Sequence, residues 1–363
     1  MLLSGIFPPI TTPFYPDGEV YYKKLETNVE RYSRTPVAGI VVQGSTGEAI
    51  LLSDQERRDV LKAALGAAAP NKVMIAGTGI ESAHETLRLT EYAAELGYDA
   101  AMVRTPHYYK KQMAPANLLA FYRTVADRSA LPIIIYNFPP ATGYDIPAEV
   151  VIELANHPNL LAIKESAGNL DKVKAMIDGT RHVKRQATVT ETFEAVTPRM
   201  IKAATAESEK QSRELVSVAS LAGEAASSGV AAKPSSSAVT VVGKLKTRQK
   251  EIGFQVMVGA AHQLEPSLGL GAVGAILAFA CPAPMACYEI FAALKDGDQA
   301  LAREKQERVK AAVQRVVGDL GVPGVKYAMD LNGYYGGPSR LPFLPLNVEQ
   351  KVEIEKLMAG IKS

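Results

Sequence analysis

Eight short apolar runs, each followed by an amphipathic stretch, predict an α/β chain of the (β/α)8 type, a TIM barrel. Three observations carry that expectation. The runs are rich in β-branched residues and bounded by glycine or polar residues, as strands buried on both faces are. Two of the amphipathic stretches open with a capping box. The strand–helix alternation keeps its order from one end of the barrel to the other, which demands parallel neighbours.

The first strand is read at 6–11 and the first helix at 22–34. The second strand covers 39–44. Ser53-Asp-Gln-Glu56 is a capping box opening a helix whose Val60, Leu61, Ala64 and Leu65 share one face. The third strand, 73–77, is followed by a second box, Ser82-Ala-His-Glu85, and a stripe of Leu89, Tyr92, Ala93 and Leu96 ending at Gly97. Strands at 100–103, 132–136 and 161–164 alternate with helices at 115–127, 146–156 and 169–178. Strands at 254–258 and 273–279, with helices at 260–266 and 283–295, complete a barrel over 1–297. Helical stretches near 298–318, 323–331 and 347–360 form a C-terminal helical extension over 298–363.

One segment breaks the rhythm. Between 181 and 246 the chain turns rich in Ala, Ser, Thr and Lys, including Ala225-Ala-Ser-Ser-Gly and Pro234-Ser-Ser-Ser. It reads as an insertion between helix 6 and strand 7, with one helix at 207–225. An αβ connection lies on the bottom face of a barrel, away from the chemistry. The segment is therefore expected to be dispensable for folding.

Forty basic residues against 38 acidic ones leave a net charge of +2, which argues against a nucleic-acid partner. No window has the roughly 18 apolar residues of a membrane span. Met1-Leu-Leu-Ser-Gly-Ile-Phe-Pro-Pro-Ile has no secretory pattern, and Cys281 and Cys287 suggest reduced thiols, so a cytoplasmic location is expected. His84, His107, His157, His182 and His262 form no ligand pattern, so no metal is expected. Gly269-Leu-Gly-Ala-Val-Gly274 precedes an apolar run instead of a helix and does not suit a dinucleotide.

The residues that can carry chemistry end strands. Gly44-Ser-Thr-Gly-Glu48 follows the second strand; its amides suit a carboxylate, or it is an ordinary turn. Lys164 ends an apolar run. Burial would lower its pKa toward a free amine able to form a Schiff base, unless it simply emerges into solvent. Tyr136 in Tyr136-Asn-Phe-Pro139 is a proton carrier or a packing residue. Thr105-Pro-His-Tyr-Tyr109 adds two phenols.

With these pieces, and with Thr11-Thr-Pro-Phe14, Ala76-Gly-Thr-Gly79, Thr142-Gly143, Ile163-Lys-Glu-Ser166, Gly259 and Gly271-Ala-Val-Gly-Ala-Ile276, the chain resembles the dihydrodipicolinate synthase/N-acetylneuraminate lyase family of class I pyruvate aldolases. The resemblance covers nearly all of the chain outside 181–246. It implies that Lys164 forms an imine with a 2-oxo acid, that Tyr136 shuttles protons, and that Ser45 and Thr46 hold the carboxylate. It implies that Tyr109 reaches into the partner's site across a dimer interface, and that the Ile276 carbonyl faces the pyruvyl group. No cofactor is implied beyond that covalent imine, and a homo-oligomer, a dimer or dimer of dimers, is.

Within the family, Gly321-Val-Pro-Gly-Val-Lys326, Gly333-Tyr-Tyr-Gly-Gly-Pro-Ser-Arg340 and Lys164-Glu-Ser166 look closest to 4-hydroxy-2-oxoglutarate aldolases, where the serine contacts substrate. Dihydrodipicolinate synthases typically carry Arg-Thr-Gly where this chain has Ala141-Thr-Gly143, and that arginine grips the aldehyde's carboxylate. Dihydrodipicolinate synthase remains the alternative, as does a 2-oxo-acid-binding member without turnover.

Overall fold

The computed structural model describes residues 1–219, 240–242 and 245–361. Six strands come first: β1 (Gly5–Phe7), β2 (Gly39–Val42), β3 (Val73–Gly77), β4 (Ala100–Arg104), β5 (Ile133–Asn137) and β6 (Leu160–Glu165). β7 (Arg185–Thr190), β8 (Thr240–Val242) and β9 (Leu245–Ile252) follow, then β10 (Gln255–Val258) and β11 (Gly274–Ile276).

Eight of these form one parallel sheet in the order β1-β11-β10-β6-β5-β4-β3-β2. It closes between β1 and β2, where Ala38 N–H donates to the Ile6 carbonyl (2.9 Å), Val41 to Pro8 (3.0 Å) and Ile10 to Val41 (2.9 Å). The predicted TIM barrel is therefore the fold.

Residue parity sets the two layers of the core. Phe7, Val41, Ile75, Met102, Ile134, Ala162, Met257 and Ile276 fill the lumen. Their neighbours Ile6, Ile40, Val42, Met74, Ala101, Ile133, Ile163 and Ala275 pack outward with the helices. Both faces are apolar, which is why the strands read as unbroken hydrophobic runs.

The first predicted capping box is complete: Glu56 N–H donates to Ser53 Oγ (3.2 Å) and Ser53 N–H to Glu56 Oε2 (2.8 Å). The second is only half formed. Glu85 N–H meets Ser82 Oγ at 3.2 Å, but the Glu85 carboxylate turns to Arg88. The C-terminal stretch predicted at 298–318 is a helix over Gln299–Val313, which widens to a π-turn over Gln314–Asp319 before the helix Gly321–Leu331. A last helix spans Val348–Met358.

Within 181–246 the helix bounds require a correction. β7, β9 and β8 make a separate antiparallel sheet in that order, and a helix spans Pro198–Ala219, earlier than the predicted 207–225. Positions 220–225 and the Ala/Ser-rich motifs lie outside the described residues. The flanks dock on the barrel bottom. Arg185 donates to the carbonyls of Leu160 (2.6 Å), Ala155 (2.6 Å) and His157 (2.8 Å). Arg199 bonds the Lys72 carbonyl and faces the buried Asp99 carboxylate at 3.5 Å, while Met200 joins Leu3 and Phe7 in the lumen core. Three side chains of the segment thus end in the barrel's floor.

Arg199→Ala should leave Asp99 buried without its cation. The expected loss is about 2–3 kcal/mol in denaturant unfolding. A change below about 0.5 kcal/mol would mean that the docked flank adds nothing to barrel stability.

Candidate active site

The upper ends of β4, β5 and β6 are in register, with Arg104 opposite Tyr136 and Tyr136 opposite Lys164. Counting by twos from Met102, Ile134 and Ala162, all three side chains belong to the lumen face. Lys164 is only 4% exposed, and its Nζ lies 4.1 Å from the centroid of the Tyr136 ring.

Burial lowers the Lys164 pKa to about 7. A buried amine that is half unprotonated near neutrality is a nucleophile at working pH. Burial moves Tyr136 the other way, to about 12, against the pull of its Ser45 hydrogen bond and of the Arg104 charge. Tyr136 thus stays a phenol, able to donate and accept. Its hydroxyl is 3.2 Å from Ser45 Oγ.

Ser45–Gly47 form one 3-10 turn beyond β2. As its first two residues, Ser45 and Thr46 carry amides the turn does not use. Gly47 N–H donates to Gly44 (3.0 Å), and Thr12 Oγ1 donates to the Gly47 carbonyl (2.7 Å). Glu48 sits at φ 54° and turns its carboxylate into the protein. There Lys326 Nζ lies 2.5 Å from Oε1, and Arg340 N–H donates to Oε2 (2.8 Å). Lys326 is fully buried and also donates to the carbonyls of Thr12 (2.9 Å) and Pro338 (2.8 Å).

Across the mouth, Gly259 N–H donates to the Glu165 carbonyl (2.7 Å). A β-carbon at Gly259 would lie 1.9 Å from Ser166 Oγ and 3.0 Å from Lys164 Cε, so only glycine fits there. Ser166 Oγ is buried with no hydrogen-bond partner. Ile276 is fully buried in the lumen core with Tyr136. Behind the row, Asn137 Nδ2 donates to both Glu165 oxygens (3.0 and 2.9 Å) and to Asp145 (2.7 Å), and Lys172 Nζ lies 3.1 Å from Glu165 Oε2. This network locks the two residues that follow Tyr136 and Lys164.

Ser45, Thr46, Tyr136, Lys164, Ser166, Gly259 and Ile276 therefore gather around one barrel mouth. Tyr109 does not join them within the chain. It is 63% exposed, edge-on to Tyr108 at 5.0 Å. Sequence reading places Glu48, Lys326 and Arg340 in motifs without a role for them, and does not single out Arg104. For Arg104 a signal existed: it is two residues beyond Met102, hence on the lumen face. Among the described residues no group of three or more His, Cys, Asp and Glu has metal-holding geometry, and no helix is long and apolar enough to cross a membrane.

A (β/α)8 barrel with such a lysine and phenol at paired strand ends has the make-up of a class I aldolase. The chain belongs to the dihydrodipicolinate synthetase family, which matches residues 2–206 and 215–361. The 4-hydroxy-tetrahydrodipicolinate synthase of Methanothrix thermoacetophila is 28% identical over 357 residues, covering 98% of this chain and 96% of that protein. The same-named enzyme of Xanthomonas campestris pv. campestris is 40% identical over 177 residues, 49% of this chain and 58% of its own length.

Dihydrodipicolinate synthase DapA-2 from Bacillus anthracis has a similar structure, with a TM-score of 0.76 at 21% identity and 100% coverage of both chains. YagE from E. coli K12, a prophage protein of the dihydrodipicolinic acid synthase family solved in complex with pyruvate, gives 0.74 at 23% identity and 99% coverage of each. At these identities the structural likeness is one of fold. The relatives' names favour the synthase over the 4-hydroxy-2-oxoglutarate aldolase that the C-terminal motifs suggested first.

The Lys164 pKa has two measurable consequences. The rate of imine formation should fall about tenfold per pH unit below 7 and level off above it, because only the free amine attacks. The folded pKa lies below the ordinary 10.5, so the unfolded chain holds this proton more tightly and stability rises with pH between about 7 and 10.5. Lys164→Met should therefore stabilise the fold by on the order of 3 kcal/mol at pH 6, with the gain shrinking toward pH 10 in denaturant titrations.

Proposed function

We propose that this chain is a lysine-imine enzyme that makes or breaks a carbon–carbon bond next to a pyruvyl group. The observation that carries the reading is the buried, half-unprotonated Lys164 amine set against the face of Tyr136. The amine attacks C2 of the 2-oxo acid, the carbinolamine loses water, and the iminium accepts the electron pair of the bond that breaks at C3. In the forward direction the same enamine attacks an aldehyde. Tyr136 carries protons to and from the carbinolamine and aldol oxygens, with Ser45 as its hydrogen-bonded neighbour.

The Ser45 and Thr46 amides and hydroxyls receive the substrate carboxylate, and the Ile276 carbonyl and Ser166 Oγ line the pyruvyl group. Tyr109 completes the partner's site in a homo-oligomer, a dimer or dimer of dimers; its exposed pairing with Tyr108 supports this. The imine makes a separate cofactor unnecessary. Two buried free thiols, Cys281 and Cys287, support a cytoplasmic setting.

For the aldehyde partner, the relatives support aspartate semialdehyde, hence 4-hydroxy-tetrahydrodipicolinate synthesis. One observation favours cleavage of 4-hydroxy-2-oxoglutarate to pyruvate and glyoxylate instead. Ala141, exposed on the turn Pro139–Thr142, offers a methyl group where the synthases typically hold an arginine.

Pyruvate with borohydride is expected to add a reduced pyruvyl mass to the peptide holding Lys164, and Lys164→Ala should abolish it. Wild-type protein without the adduct would refute the imine. Product assays with pyruvate plus aspartate semialdehyde, and with 4-hydroxy-2-oxoglutarate, should then give the faster turnover with the semialdehyde. Faster cleavage of the oxoglutarate would transfer the assignment to the aldolase, and an adduct with no turnover would mark a binding protein.

A further inference from the structure

Arg104 ends β4 on the lumen face, one strand from Tyr136 and two from Lys164. An arginine whose side chain occupies a barrel's reaction chamber needs an account. Its Nη1 is anchored by Glu81 Oε1 (3.0 Å) and His107 Nδ1 (2.9 Å). Nε and Nη2 have no protein acceptor among the described residues, so one edge of the fork is open. Glu81 is itself held by the His107 and Tyr108 amides (2.9 and 3.0 Å), which makes the anchor rigid.

Arg104 lines a pocket together with Gln43, Ser45, Arg57, Gly79 and Tyr136. Gly79 leaves the room the side chain uses: a β-carbon there would lie 2.9 Å from Arg104 Cγ. Arg57 enters the same pocket from the helix Asp54–Ala67, with its Nε donating to the Ala49 carbonyl (3.1 Å). Burial, and then the Arg104 charge, hold Arg57 below its usual pKa. Two arginines thus line one pocket, the Glu81 carboxylate lying at the anchored end of Arg104 outside that lining, and His107 is pushed toward its neutral form by burial and by Arg104. The local excess is positive, and an anion between the arginines would relieve it.

We propose that Arg104, assisted by Arg57, binds the carboxylate of the aldehyde partner, taking over from β4 the grip that Ala141 cannot supply. The proposal rests on Lys164 forming the imine and names what the second substrate must carry: a carboxylate at the far end from the reacting carbonyl. A bidentate guanidinium–carboxylate contact discriminates strongly against a neutral analogue. It also reconciles relatives named for a synthase with a chain that lacks the arginine beside Thr142.

The test compares wild type, Arg104→Gln and Arg104→Lys in condensation with pyruvate. Aspartate semialdehyde and glyoxylate serve as carboxylated aldehydes, and glycolaldehyde and propanal as neutral ones. For Arg104→Gln, KM for the carboxylated aldehydes should rise about tenfold or more, while KM for the neutral ones, KM for pyruvate and the borohydride adduct stay within about twofold; the lost pull of Arg104 on Tyr136 lowers kcat for both classes alike. Arg104→Lys should recover part of the loss.

Equal rises in KM for charged and neutral aldehydes would overturn the proposal and leave Arg104 a structural anchor of the β3 and β4 loops. An unchanged KM, or a rise confined to pyruvate, would overturn it as well. If Arg104→Gln unfolds, Arg57→Gln keeps the question open to measurement, with the same selective rise expected and its absence decisive. Wild type that lacks the adduct would sink the imine itself. Wild type that forms the adduct but uses neutral aldehydes as readily as carboxylated ones would sink this inference alone.

Discussion

The pairing register of β4, β5 and β6 is the constraint on which the site depends. Strand side chains alternate, so a slip of one residue would turn Tyr136 and Lys164 out among the helices and bring Asn137 and Glu165 into the lumen. The outward residues guard against that slip. Asn137 satisfies both oxygens of a fully buried Glu165, and Lys172 supplies the countercharge. A slipped register would leave these groups buried and unpaired, at a cost of several kcal/mol. The inward pair is the opposite case: among the described residues no carboxylate pairs with Lys164, and burial keeps it a base.

A second buried lysine, Lys326, is likewise pushed down by burial, but its pairing with Glu48 opposes the shift. Lys326 is as deeply enclosed as Lys164, yet Glu48 and two carbonyls surround its ammonium. It ties the C-terminal helix Gly321–Leu331 to the loop that carries Ser45 and Thr46. Arg340 strengthens the tie through the Gly18 and Leu51 carbonyls and through Glu56. The helices beyond the barrel therefore act on the mouth by stiffening the loop after β2.

The barrel was legible in the sequence because its strands are buried on both faces, so the apolar runs are continuous and the intervening helices announce themselves by capping. Tyr136 and Lys164 were legible because polar residues ending such runs stand out. Arg104 was hidden because the apolar run stops at Val103, and only parity assigns the next residue to the lumen. Glu48 and Lys326 sit in quoted motifs, but nothing local reveals that the fold brings the two together. The docking of Arg185 and Arg199 escaped for the same reason, their partners being mostly main-chain carbonyls, which have no sequence signature.

Gly259 couples the mouth's residues energetically as well as sterically. Any side chain there collides with Ser166 Oγ and crowds Lys164 Cε. Enlarging it first would disable the lysine, and shrinking Ser166 first would remove only one of the two collisions. Substitutions at 259 and 166 are therefore non-additive: their joint effect on Lys164 differs from the sum of the two alone.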